Sequence, residues 1–214
     1  MNLGSKSESP SVPPGQRLKD RHKETTRRAI LEAAEEVFAR DGIERARIDA
    51  IAAHAGVSVG SIYNHIGDRD AVFRAVRELR RGEIIAALDA ALEEAEGTAA
   101  SLEALARGLL EHVERHRRFF SIVMQAADRG GPDPSPSETV AALQARVRSI
   151  LRRGVREGVL RNDASRTHET LFIGMLKAAI RARLVDAESP SPATWARSLA
   201  GLFLEGASAR KASR

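Results

Sequence analysis

Apolar residues recur along this chain at helical spacing, and no run shows the alternation that a strand would need. The first stripe, Ile30, Ala33, Ala34, Val37 and Phe38, predicts a helix over 22–41. Asp41-Gly42 ends it, with Gly42 at a left-handed position just past the helix and Ile43 as an apolar contact beyond. Ile48, Ile51, Ala52 and Ala55 repeat at i, i+3, i+4, i+7 and predict a short helix over 47–54. Gly56 interrupts the pattern. Ser58 has the side chain of an N-cap, so a third helix is expected over 59–65, with Ile62 and Ile66 inward and Gly67 as its stop. Asp68 caps a long fourth helix over 69–95, apolar at Val72, Phe73, Val76 and Leu79, then at Ile84, Ile85, Leu88, Ala91 and Leu92. Its stripe changes phase across Arg80-Arg81-Gly82-Glu83, as expected of a helix serving first one body and then another.

After Gly97-Thr98 a fifth helix is expected over 101–116, with Leu102, Leu105, Leu109 and Val113 inward. Phe119, Phe120, Ile122, Val123 and Met124 follow, apolar on almost every side, which predicts a buried segment. Residues 128–137, DRGGPDPSPS, read as a loop, and Ser135-Pro136-Ser137-Glu138 as a capping box with proline in the first turn. Helices over 136–157, 164–185 and 192–208 complete the pattern. Their inward positions are Val140, Leu143, Val147, Ile150, Leu151 and Val155; then Leu171, Phe172, Met175, Leu176, Ala179, Ile180 and Leu184; then Trp195, Leu199, Leu202 and Phe203. The fold class is all-α, about nine helices, with no internal repeat. A disordered tail is expected over 1–20, a three-helix unit over 21–68, and a second helical domain over 69–210, joined by the helix over 69–95.

Composition narrows the function. Hydrophobic residues make up 43% of the 214 positions and charged ones 29%, enough for a substantial core and too apolar for global disorder. There is no cysteine, which excludes disulfides, thiolate zinc sites and cysteine nucleophiles, and suits a cytoplasmic location. No apolar run approaches the roughly 18–20 residues that span a bilayer, and the polar, proline-rich start MNLGSKSESPSVPPGQ lacks the apolar segment of a signal peptide. No phosphate-binding glycine loop, Gly-x-Ser-x-Gly or acid/base pair is present, so neither an enzyme nor a cofactor is expected. The net charge is +5. Six basic residues (Arg17, Lys19, Arg21, Lys23, Arg27, Arg28) face two acids (Asp20, Glu24) at the start of the first helix. That cluster fits either a solvated helix start or an arm lying along phosphate.

The helices over 47–54 and 59–65 are each about two turns long and are joined by a break containing Gly56-Val57. The preceding helix supplies a third wall. This is the layout of a helix-turn-helix, whose second helix enters the DNA major groove. Ala52 and Ala55 are small enough for close helix approach. Ser58, Gly60 and Ser61 are short enough to lie near DNA, and Tyr63, Asn64 and His65 offer longer hydrogen-bonding arms.

From Arg28 to Val72 the sequence RAILEAAEEVFARDGIERARIDAIAAHAGVSVGSIYNHIGDRDAV resembles the DNA-binding domain of TetR-type bacterial transcriptional regulators. The resemblance rests on Ile30, Ala33, Ala34, Phe38, Gly42, Ile51, Ala52, Ala55-Gly56-Val57-Ser58, Gly60, Ile62-Tyr63 and His65. It implies an all-α homodimer that binds a palindromic double-stranded DNA operator through the recognition helix Val59–His65. Tyr63 takes the position of the family's phosphate-contacting tyrosine, while Ser61, Asn64 and His65 face the groove and Ser58, Val59 and Gly60 lie at its edge. Arg69 replaces the usual lysine as a phosphate ligand. Arg47-Ile48 stands where a hydroxyl pair is common and offers a cation there instead. Ile66 replaces a phenylalanine and Asp70 a glutamate.

The resemblance also implies an effector pocket and a dimer interface in the second domain. Pocket candidates are His116, Phe120, Met124, Gln125, Phe172, Met175 and Arg181, set against the plain reading of the aromatics and methionines as core. The small residues Gly174, Ala178 and Ala182, with Ala196 and Ala200, suit either close pairing of the last two long helices across a dimer axis or ordinary packing within the chain. His112 and His116 stand at i, i+4 on one helix face, a spacing that can bind zinc. No third ligand is evident, so no metal is assigned, and a polar pocket lining or plain core and surface roles stay open. The function expected is a repressor released from its operator by a small molecule. Two alternatives are a regulator whose second domain binds a protein partner, and a helical interaction module without specific DNA binding.

Overall fold

The computed structural model describes residues 14–128, 138–162, 165–186 and 188–207. Among them are nine α-helices and no β-strand: α1 (Pro14–Asp41), α2 (Ile48–Ala55), α3 (Val59–His65), α4 (Arg69–Glu93), α5 (Gly97–Arg115), α6 (Arg117–Asp128), α7 (Glu138–Arg156), α8 (Ser165–Val185) and α9 (Pro192–Ala207). The first helix begins eight residues before the expected start at 22, because a proline is well tolerated in a first turn. Of the tail expected over 1–20, residues 1–13 lie outside the described residues and the rest is α1. The loop over 129–137 and the capping box before Glu138 also lie outside them.

Two compact units divide between Val76 and Arg77, inside α4 and beyond the expected boundary at residue 68. In the first, α1 packs on α2 and α3 and α2 packs on α3. Ile30, Ala34, Val37, Phe38, Ile51, Ile62, Val72 and Val76 are each fully buried. The Phe38 and Phe73 rings meet edge to face at 5.3 Å.

In the second unit α5 is the central helix, contacting α6, α7, α8 and α9. Leu102, Leu105, Ala106, Leu110, Val147, Phe172, Leu176 and Ala196 are almost completely enclosed. Ala196 and Ala200 are buried within the chain, the second of the two roles that their small side chains suit. Gly174 and Ala178 of α8 remain exposed. The buried line of α4 does not break at Arg80. It runs Val72, Val76, Arg80, Ile84, Leu88, with Arg80 only 6% exposed, so a charged residue fills an apolar register. Steps of four residues against a 3.6-residue turn rotate the line steadily, which the sequence pattern presented as a phase change. α6 is also less enclosed than its composition predicts. Phe119 is buried, while Phe120, Ile122, Val123 and Met124 are half-buried, since among the described residues α6 packs chiefly on α5 and α8 and lightly on each.

Charged side chains lace this unit. Arg148 donates twice to Glu169 across α7 and α8, at 2.8 and 3.0 Å. Arg183, buried in α8, donates to Glu114 Oε2 of α5 at 2.5 Å and to the Ser189 and Pro190 carbonyls before α9. Ser191 caps α9, accepting from the Thr194 N–H at 3.2 Å.

Candidate nucleic-acid interface

Gly56 fixes the turn between α2 and α3. Its backbone is left-handed (φ 67°, ψ 30°), a conformation that glycine takes without a Cβ penalty. The Val57 N–H reaches back to the Ala52 carbonyl at 3.0 Å and the Gly56 N–H to that of Ala53 at 3.4 Å. This pair of bonds satisfies carbonyls that the helix end would otherwise leave open. Ser58 then starts α3 from an extended backbone. Its Oγ accepts from the Ser61 N–H at 3.1 Å and shares a hydrogen bond with Ser61 Oγ at 2.9 Å. The chain thus turns from α2 into α3 within three residues, on bonds that are entirely local.

One face of α3 is anchored and the other is open. Ile62 is fully buried, while Val59 is 40% and Tyr63 55% exposed. Gly60 and Asn64 are exposed beside them, and Ser61 is half-buried. The open face therefore carries an apolar contact, a phenol and an amide, with a glycine that lets a partner approach. His65 departs from this set. It is half-buried, its Nδ1 is enclosed without a hydrogen-bond partner, and its carbonyl accepts from Arg27 Nη1 of α1 at 3.1 Å.

The cations of the first unit are exposed or partly offset. Lys19, Arg21 and Lys23 of α1 are exposed. Arg47, just before α2, is exposed and donates to both oxygens of Asp49, at 3.0 and 2.8 Å. Those hydrogen bonds hold the Asp49 carboxyl below the usual carboxylate range. Arg69 is half-buried at the start of α4. It donates to the Glu44 carbonyl at 2.6 Å and to Asp70 Oδ1 at 3.1 Å, and lies 3.5 Å from the Glu44 carboxylate. The Asp68 carboxylate caps α4 by accepting from the Ala71 N–H at 2.8 Å.

The sequence profile of bacterial regulatory proteins of the tetR family matches residues 30–76, the segment that builds this turn and its supports. Similarity extends well past it. The chain is 30% identical over 142 residues to the transcriptional repressor AcnR of Corynebacterium efficiens, covering 64% of this chain and 70% of that protein. The chain belongs to the TetR family. It is also 28% identical over 160 residues to the transcriptional repressor NicS of Pseudomonas putida, covering 71% of this chain and 73% of NicS. Among solved structures it resembles the TetR family regulator PfmR of Thermus thermophilus, with 25% identity, a TM-score of 0.67, and coverage of 82% of this chain and 97% of that one. It shares its fold with Bacillus subtilis FadR, solved in complex with stearoyl-CoA, at 18% identity and a TM-score of 0.73, over 83% of this chain and 97% of FadR. Membership makes it a DNA-binding transcriptional regulator and not an enzyme.

In this TetR-family chain the pocket candidates of the second unit fall into three groups. Phe172 is fully buried in the core, edge-on to Phe203 at 5.2 Å. Phe120 and Met175 are half-buried against that core, Met124 of α6 is half-buried, and Gln125 and Arg181 are exposed. His116 lies with His112, ring centroids 4.7 Å apart, and Phe120 sits edge-on to His112 at 6.0 Å.

The periodicity hid what these histidines meet. Arg80 Nη1 donates to Glu83 Oε2 at 2.6 Å, and Glu83 Oε2 lies 3.5 Å from His116 Nε2. Burial pushes Glu83 up, but the hydrogen bond and charge of Arg80 outweigh it and hold the carboxyl below its ordinary value. Burial, and then the neighbouring His116, push His112 down to about 4. Burial and Arg80 lower His116. The signal available in the sequence was the interruption of the α4 stripe at Arg80 and Glu83, which marks where polar groups enter a buried register.

Proposed function

We propose that this TetR-family regulator is a repressor that binds a palindromic operator as a homodimer and is released by a small-molecule effector held in the second unit. The observation that carries the DNA-binding part is the division of α3 into a buried anchor, Ile62, and an open face of Val59, Gly60, Tyr63 and Asn64. In this reading Tyr63 donates to a backbone phosphate, and Ser58, Ser61, Asn64 and the outer edge of His65 meet the groove. Arg47 and Arg69 take phosphates by exchanging them for Asp49, Asp70 and Glu44. Each cation neutralising a phosphate adds to the salt dependence of binding. Repression rather than activation is supported by AcnR and NicS, both named repressors.

The dimer reading assigns the interface to α8 and α9. Leu171, Gly174, Ala178 and Val185 follow helical spacing along α8 and are exposed, and Leu202 of α9 is 65% exposed. Helix faces of this kind are covered in dimers, with two protomers setting their recognition helices about 34–36 Å apart on one face of DNA. The site of action is the cytoplasm. No helix among the described residues is long and apolar enough to cross a membrane. An effector drives release only by binding the operator-free state better than the operator-bound one.

The test is a gel shift on the DNA upstream of the chain's own reading frame, repeated over a range of salt. Tight binding to one palindrome that weakens linearly in log salt is expected, and equal affinity for random DNA would sink the regulator reading. A thermal-shift screen then tests for the effector, and stabilisation by a protein partner with none by any small molecule would replace the effector with that partner.

A further inference from the structure

We propose that Glu83 of α4, His112 of α5 and His116, the residue that closes α5, form a binding site for a divalent first-row transition ion within the second unit. One ligand atom from each of the three residues lies within 4.8 Å of the other two. His116 Nε2 and Glu83 Oε2 are 3.5 Å apart. That is long for a hydrogen bond, yet close to the roughly 3.4 Å that separates two ligands of a tetrahedral ion held at about 2.1 Å. The two imidazoles come from successive turns of one helix face, the i, i+4 arrangement that lets two rings converge on one point.

A second observation points to a ligand independently. His112 is 1% exposed, and both its ring nitrogens are enclosed with no hydrogen-bond partner. Buried polar atoms are rarely left in that state, and a neutral imidazole with a nitrogen turned to a shared point is the form that coordinates a metal. Phe120, edge-on to His112 at 6.0 Å, supplies an apolar wall.

The surroundings select the kind of ion. Arg80, bonded to Glu83 at 2.6 Å, holds the carboxylate in position as a hydrogen-bond donor behind a ligand. It also cancels the carboxylate's charge, so the site cannot draw a hard cation by charge alone. Two nitrogens and one oxygen suit zinc, cobalt or nickel, whereas magnesium and calcium require mostly oxygen ligands. Three protein ligands leave a fourth position for water or an incoming donor group.

The full-length protein, stripped with a chelator, tests this with Zn²⁺ and Co²⁺ as probes. One Zn²⁺ per chain, a raised melting temperature, and visible Co²⁺ bands of a four-coordinate site are expected, with no response to Mg²⁺. His116→Ala and Glu83→Gln should each weaken Zn²⁺ binding by more than about a hundredfold, the upper range for losing even a supporting partner. His54→Ala, on exposed α2, should leave binding intact. Because Glu83→Gln also deprives buried Arg80 of its carboxylate, the wild-type Co²⁺ spectrum and the His116→Ala variant decide the question if that protein does not fold. Absence of the four-coordinate bands in wild type, or Zn²⁺ binding that survives His116→Ala, overturns the proposal.

Discussion

Replacing Tyr63 by Phe separates DNA contact from folding more cleanly than any other change in the recognition helix. The substitution removes one hydroxyl from a side chain that is 55% exposed and keeps the ring. An exposed change of this kind shifts stability by less than about 0.5 kcal/mol. A hydrogen bond to a charged acceptor contributes about 1.5–3 kcal/mol. At an exposed position water replaces the lost hydroxyl on the phosphate, so the lower end applies. At about 1.4 kcal/mol per factor of ten, each protomer loses about tenfold, and a dimer occupying both half-sites about a hundredfold. Tyrosine carries no charge, so the slope of log affinity against log salt stays unchanged. Replacing Arg47 by Ala should instead flatten that slope by about 0.9 per protomer. Fluorescence anisotropy with a labelled operator duplex at several salt concentrations measures both quantities, and thermal denaturation checks the fold. Wild-type affinity in Tyr63→Phe, or a flattened slope, would refute the phosphate contact.

Four further outcomes are expected. Gly56→Ala places a Cβ in open space but at φ 67°, so its cost is the left-handed backbone alone, about 1–2 kcal/mol by chemical denaturation. Glu44→Gln combined with Asp70→Asn removes the two carboxylate charges beside Arg69, leaving its bond to the Glu44 carbonyl, and should tighten operator binding a few-fold, about the worth of an exposed ion pair, as read by anisotropy. Leu202→Glu sets a charge on the exposed face of α9 and should yield monomers by light scattering, without loss of helicity by circular dichroism. Arg183→Ala leaves two carbonyls without their donor and the half-exposed Glu114 carboxylate with Arg117 alone, lowering stability by about 2 kcal/mol, which urea denaturation would register.

The first unit was legible because its signals are local. Gly56, Val57 and Ser58 make the turn through bonds to residues no more than five positions away, so their types alone announce it. The second unit is organised by contacts between helices, and residue type reports those poorly. Ala196 and Ala200 have the same small side chains whether they meet a partner chain or their own core, and only the packing shows that they are buried in the core of their own chain. Arg80 reads as a surface residue until it is found in the buried line of α4, bonded to half-buried Glu83 beside that line. The third member of the histidine cluster was missed for the same reason. Glu83 belongs to a different helix, and no periodicity within α5 points to it.

A helix of seven residues is far too short to be stable alone, and this shapes what α3 can vary. Its existence depends on the Ser58 cap, the turn at Gly56 and the fully buried Ile62. Val59, Tyr63 and Asn64 contribute less to that support, since their side chains are exposed where that of Ile62 is fully buried. Substitutions at those three positions can therefore change what the open face meets while the fold is held by the other three. A swap of Val59 and Asn64 should alter which operator is preferred at nearly constant stability, whereas any change at Ile62 that leaves a cavity should weaken binding to every sequence equally.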